Sequence, residues 1–352
     1  MQKTVATTPE ALVSEGLISP ADAGALKHVA ERYAIAAPRH MVSLIDRDAV
    51  NDPIALQIVP STAELVTTPD ERPDPIGDDT YSPVKGLVHR YPDRVLLKVH
   101  SACAVYCRFC FRREMVGPGG DTMDESDITT ALNYIREHPE IWEVILTGGD
   151  PLVLSPKRIA NLLDELDSIE HVQVVRFHTR VPVAVPDRIS EELVQVLSGR
   201  RTTVYVAVHS NHARELSPDA IEACGRLTSA GIPLVGQTVL LKGINDNAET
   251  LETLFRAMVR IRITPYYLHH PDLAPGTGHF RVPIETGQAL MKQLRGRVSG
   301  LALPTYMLDI PGGYGKVPVG PSYVTESADG LALVEDVNGR THTYPPQDTD
   351  PS

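Results

Sequence analysis

The sequence has few cysteines, no long apolar run and no excess of basic charge. Four cysteines in 352 residues are too few for a disulfide framework. A chain of this length buries enough surface to fold without one. No stretch of 18 apolar residues occurs, so no membrane span is expected. The start, MQKTVATTPEALVSEG, lacks a basic segment followed by an apolar one. That argues against a secretory signal and for a cytoplasmic protein. Lys and Arg number 33 against 45 Asp and Glu, a net charge of −12. Such a chain lacks the broad cationic footprint of a nucleic-acid binder. What remains is an ordinary globular composition, 42% hydrophobic and 22% charged. Its length fits two domains or one α/β barrel.

Three segments follow from the pattern. Residues 1–90 read as an N-terminal helical extension with a wrapping loop. Ser19-Pro20 caps a helix reaching Tyr33, and the stretch from Pro60 to Pro83 is too rich in proline for a helix or central strand. Residues 91–308 repeat a strand–helix unit. β-branched runs begin near Arg94, Trp142, Val172, Thr202, Ile232 and Ile263, and each precedes a helical period. Six such units imply a parallel sheet covered by helices, a partial (β/α)6 barrel. A seventh run, Leu303 to Leu308, closes or extends it. Residues 309–352 hold a glycine-rich loop, a hairpin signal at Val337-Asn338-Gly339-Arg340, and a frayed end at residues 345–352.

Three of the four cysteines fall after the first barrel strand as C-x3-C-x2-C: Cys103, Cys107 and Cys110. Three thiolates on one loop can hold three corners of an iron–sulfur cubane and leave the fourth iron open. The alternatives are a zinc knuckle completed by His100, or three buried thiols. Thr147-Gly148-Gly149-Asp150-Pro151 ends the second strand, where barrel sheets face ligands. It could also be a plain turn, with Asp150 shaping it. The spacing, with an aromatic before the last cysteine, resembles the radical S-adenosylmethionine (SAM) superfamily. The resemblance implies a [4Fe-4S] cluster on the triplet and SAM on its open iron. It also implies that Gly148 and Gly149 hold the SAM amino group, and that a reducing partner such as flavodoxin or ferredoxin supplies the electron.

A second signal is Asp309-Ile-Pro-Gly-Gly-Tyr-Gly-Lys316. A lysine after a glycine-rich turn in a partly desolvated pocket has a lowered pKa and can form a Schiff base. A solvated surface lysine fits the same residues. The triplet together with PGG-x-GK resembles the lysine 2,3-aminomutase family, radical SAM enzymes that also use pyridoxal phosphate (PLP). The likeness runs from about His89 to Val324. It implies that Lys316 is the PLP lysine and catalytic, that Arg90 and Arg94 bind the PLP phosphate, and that Arg112 holds the substrate carboxylate. Gln237 falls in the SAM or PLP region. Asp272 and Asp309 match the positions that bind the ε-ammonium of lysine. Against this, Arg90, Arg94 and Arg112 could be surface charges, Asp309 could cap its turn, and Asp272 could pair with Arg281.

Two features depart from the family. No cysteine follows Cys224, so the zinc-binding extension of longer members is not expected, and Cys224 itself reads as a small buried residue. The short form resembles the bacterial protein that makes β-lysine for elongation factor P, yet the DxPGGxGK form is closer to the free-lysine enzymes. The expected activity is L-lysine to β-lysine in a possible homo-oligomer. Competing readings are the same chemistry on arginine, ornithine or glutamate, a radical SAM enzyme without PLP, and a non-catalytic iron–sulfur or zinc module.

Overall fold

Nine strands form one sheet among the described residues, which in this computed structural model are 4–120, 122–326 and 330–346. They are β1 (Leu87–Tyr91), β2 (Arg94–His100), β3 (Glu143–Gly148), β4 (Val174–Thr179), β5 (Thr203–His209), β6 (Leu234–Val239), β7 (Ile263–His269), β8 (Thr305–Ile310) and β9 (Gly315–Pro318). Their order in space is their order in sequence. β2 through β8 run parallel, and β1 and β9 pair antiparallel at the two edges. This is the nearly closed α/β barrel that the repeat of strand and helix predicts. The seventh run does extend the sheet, since Thr305 registers against Tyr267.

The strands alternate because the two faces of the sheet differ. Val95, Leu97 and Val99 of β2, Val175 and Phe177 of β4, and Val204, Val206 and Val208 of β5 lie in the main apolar core. There they meet the covering helices, including α1 (Pro156–Asp167) with Leu162, Leu163 and Leu166, and α2 (Ala248–Arg260) with Leu254 and Phe255. The opposite face supplies Lys98, Arg176, His178 and His209, which are polar groups on the lumen side. Ser155 and Asn247 cap α1 and α2 through their side chains.

The extension does more than wrap. A helix at Pro20–Arg32 starts on the Ser19 cap, as read from the sequence. Beyond it, Leu12, Ile35, Met41, Ile54 and Ile58 form a second core with Val105 of the cysteine loop. The expected boundary at residue 90 falls inside β1. The boundary at 309 falls inside β8, and Lys316 lies in β9, with Asp309 and Lys316 directly opposed in register. A hairpin over Ala332–Glu335 and Thr341–Tyr344 flanks the Asn338-Gly339 turn. The expected frayed end lies outside the described residues from residue 347 on. Among the described residues, no helix is long and apolar enough to cross a membrane.

Candidate active site

The cysteine loop is shaped by what surrounds it. Its backbone finds partners in the extension: Tyr106 N–H donates to Ala36 O at 3.2 Å and Arg108 N–H to Gln57 O at 2.9 Å. Cys103, Cys107 and Cys110 line one small cavity with Tyr33, Tyr106 and Val116. Burial pushes the Cys110 thiol up to about 11, and Cys103 rises for the same reason, helped by Asp150. Thiols held neutral in this way would give up protons on binding a metal. No three His, Cys, Asp or Glu groups among the described residues crowd a point fit for one bare ion. A cubane has separated corners and asks for three thiols facing one cavity, which this donor set provides.

Glu64 locks the loop. It is fully buried, and its carboxylate accepts from Arg108 Nε at 3.0 Å, from Arg113 Nη2, and from Ser61 N–H at 2.8 Å. Burial pushes its pKa up, but the two guanidiniums outweigh burial and hold it below the ordinary range. Glu64→Gln leaves two buried cations short of a partner. It should cost about 3–5 kcal/mol, read as a lowered thermal midpoint. The sign of the pH dependence follows: the ionised pair stabilises the fold above the unfolded carboxyl pKa, and that share fades as pH falls.

Gly148 and Gly149 are needed for close approach. Gly148 sits at φ +101°, and a Cβ on Gly149 would lie 2.2 Å from Ala102 O. The Gly149 N–H donates to His100 O at 2.6 Å, so the end of β3 is pinned to the start of the cysteine loop. Asp150 shapes the turn as expected. It accepts from Leu152 N–H at 3.1 Å, Thr179 Oγ1 at 2.6 Å and Arg180 N–H at 2.7 Å.

Beside the loop lies a dense charge cluster. Asp78, from the proline-rich stretch, accepts from Arg90 Nη2 at 3.0 Å and Arg112 Nη2 at 2.9 Å, and Lys98 Nζ stands 3.9 Å away. Burial opposes its ionisation, but Arg112, Lys98 and Arg90 prevail and lower its pKa. Lys316 pairs with Asp309, and Arg90 Nη1 lies 3.7 Å from the same carboxylate. The Lys316 side chain is 31% exposed, yet protein crowds its ammonium, and burial lowers it to about 8. Asp272 faces the same lysine. Burial pushes its carboxyl up to about 6, with Lys316 and Arg112 pulling the other way. Arg281 is not its partner; it pairs with Asp70 at 3.4 Å and with Glu71.

The structure thus gathers Arg90, Arg112, Asp272, Asp309 and Lys316, and sets Arg94 beside them through Tyr91. Arg94 pairs with Asp93 at 2.6 Å and lies 3.9 Å over the Tyr91 ring. The Tyr91 hydroxyl in turn accepts from Lys316 N–H at 2.7 Å, stitching the two edge strands together. Gln237 stands on β6 with its Nε2 3.5 Å from His178 Nε2. His209 contacts Asn211 Oδ1 at 3.1 Å, and burial lowers its pKa to about 4. Cys224 is fully buried in the helix after β5. Sequence reading missed Asp78, Glu64, Lys98 and Tyr91. The first two lie in the stretch read as a wrapping loop, where their only signal was the density of acidic residues.

Buried Arg90 Nε, Arg112 Nε and Asp309 Oδ1 lack hydrogen-bond partners among the described residues. Orphaned polar atoms at this charge cluster suit a site built for charged ligands.

Known proteins are similar to this chain in sequence. The radical SAM superfamily model covers residues 97–255, and the lysine-2,3-aminomutase model covers residues 291–351. An L-lysine 2,3-aminomutase of Clostridium subterminale is 40% identical over 305 residues, 87% of this chain and 73% of the relative. A glutamate 2,3-aminomutase of Clostridioides difficile is 36% identical over 90% of this chain and 74% of the relative. Among solved structures, a radical SAM methyltransferase from Sphaerobacter thermophilus matches at 21% identity and a TM-score of 0.44. It covers 63% of this chain and 68% of its own. The family brings a [4Fe-4S] cluster and SAM. From this resemblance in sequence over most of its length, the chain belongs to the lysine 2,3-aminomutase family of radical SAM isomerases.

Proposed function

We propose that this protein moves the α-amino group of L-lysine to the β-carbon, giving β-lysine, with PLP held at Lys316. The observation that carries the reading is the placing of two carboxylates, buried Asp309 and half-buried Asp272, around one ammonium, that of Lys316. Two such carboxylates repel unless a cation lies between them. Lys316 is that cation while its amine is free. The ε-ammonium of a lysine substrate would be a second cation suited to the same pair of carboxylates.

Other residues fit around that frame. Arg90 would hold the PLP phosphate, and Arg112, buried beside Thr147 and Asp78, would hold the substrate carboxylate. Arg94 would brace Tyr91, and through it the backbone of Lys316. Cys103, Cys107 and Cys110 would carry the cluster, with Gly148 and Gly149 setting the wall against which SAM lies. When bound, SAM supplies the radical that removes a hydrogen, and PLP supplies the π-system over which the migrating amine passes. The protein orients the parts and keeps water from them inside the barrel.

A glutamate 2,3-aminomutase is also similar to this chain, so likeness in sequence does not choose a substrate. Here the choice rests on charge. Glutamate would bring a third carboxylate to Asp272 and Asp309, and alanine would leave them without a cation. An unpaired buried charge costs about 3–5 kcal/mol, so both should be rejected by a factor of roughly 10² or more. The test compares kcat/KM for lysine, ornithine, arginine, glutamate and alanine. Asp309→Asn should cut lysine turnover by about 10² while iron and bound PLP persist. Equal turnover of glutamate and lysine by the unaltered protein would sink the assignment.

A further inference from the structure

The Asp150 backbone N–H donates to Ala102 O at 2.9 Å, one residue before Cys103. Cys107 receives a guanidinium on its sulfur, with Arg180 Nη1 standing 2.8 Å from its Sγ. This residue follows β4 and is only 5% exposed. Its position is fixed from several sides. Nη2 donates to Gln57 Oε1 at 2.5 Å and to Glu215 Oε2 at 2.9 Å. Its backbone N–H donates to Asp150 Oδ2 at 2.7 Å, and the Phe109 ring lies 5.5 Å from the guanidinium. Glu215 is itself fully buried, and its Oε1 accepts from the backbone N–H groups of Asn211 and His212, each at 2.9 Å.

We propose that Arg180 is a positioning residue that sets the reduction potential of the iron–sulfur cluster through its charged hydrogen bond to Cys107. The cluster accepts one electron from a low-potential donor and then carries one more negative charge. A fixed cation on a ligand sulfur stabilises that reduced form more than the oxidised one. Hydrogen bonds to ligating sulfurs and local charge are the protein's means of tuning such a site. Glu215 offsets part of the Arg180 charge, so the two residues should act with opposite sign. The electron then passes to the SAM sulfonium, whose carbon–sulfur bond breaks to give methionine and the 5′-deoxyadenosyl radical. Arg180 gives up no proton or electron in that step.

This inference rests on the reading that Cys103, Cys107 and Cys110 hold the cluster. The two fail separately, because iron content of the cysteine variants tests the ligands and potential tests Arg180. The experiment is a dithionite titration of the anaerobically loaded full chain, followed by the paramagnetic resonance signal of the reduced cluster. In Arg180→Met the ratio of reduced to oxidised cluster at a fixed potential should fall about tenfold, a midpoint lower by about 59 mV for one electron. Arg180→Lys should hold most of the wild-type midpoint, and Glu215→Gln should move it upward. An iron-replete Arg180→Met protein with the wild-type midpoint overturns the proposal. If Arg180→Met does not take up iron, Glu215→Gln decides: a midpoint that stays put or falls overturns the proposal equally.

Discussion

Cys103→Ala, Cys107→Ala and Cys110→Ala are each expected to lose iron to background and turnover to the detection limit. A cubane with two protein thiolates is labile, and an incomplete cluster cannot pass an electron to SAM. The loop itself should survive, because it is held by contacts that are not cysteine. Glu64 clamps Arg108 and Arg113, and Val105 packs in the second core. Secondary structure and thermal midpoint should therefore stay near those of the iron-free wild type. Cys224→Ala is the control. Its sulfur is buried among Ala220, Ala223 and Leu227, and the change should cost about 1 kcal/mol as a small core deletion while iron and activity persist. An active, iron-replete Cys107→Ala protein would refute the cluster assignment.

Lys316→Ala should abolish covalent PLP binding and β-lysine formation while the cluster remains and SAM is still cleaved slowly. Borohydride reduction followed by peptide mapping should place the pyridoxyl group on Lys316 in the unaltered chain. Lys98 is the informative competitor, because it also lies in the charge cluster and burial also lowers its pKa. A label on Lys98 or Lys242 would refute the assignment. The pH dependence has a definite sign. A lysine attacks an aldehyde as the neutral amine, and Lys316 is lowered to about 8. PLP capture should rise with pH through about 8 and then level. Productive lysine binding needs Asp272 ionised, and its carboxyl is raised to about 6. The kcat/KM for lysine should thus fall as pH drops below about 6, and Asp272→Asn should remove that limb.

Local chemistry made much of this protein legible from its residues in order. The alternation of β-branched runs and helical periods predicts the barrel because a parallel sheet can bury its outer face only under crossover helices. Ser19, Ser155 and Ser217 mark three helix starts because their hydroxyls take up N–H groups that the first turn leaves free. The cysteine triplet is legible because its three thiols lie on one short loop, so spacing alone carries the geometry. Lys316 is legible through the glycine turn that precedes it.

Long-range pairing is another matter. Asp78 reaches Arg90, Lys98 and Arg112 from a stretch whose composition reads as a wrapping loop, and Glu64 reaches Arg108 and Arg113 across more than forty residues. Nothing local marks such partners, since a buried carboxylate has the same letter as a solvated one. Arg94 shows the converse. Its place in the family motif suggests a phosphate ligand, and that motif says nothing of the contacts with Tyr91 and Asp93 that the tertiary structure adds. Arg180 meets Cys107 only because β4 ends beside the cysteine loop. The sequence by itself determined the barrel, the loop that carries the cysteine triplet and the turn that carries Lys316, all through short-range periodicity and spacing. Only the tertiary structure decided which charges neutralise which, because burial and pairing depend on how distant segments meet at the mouth of the barrel.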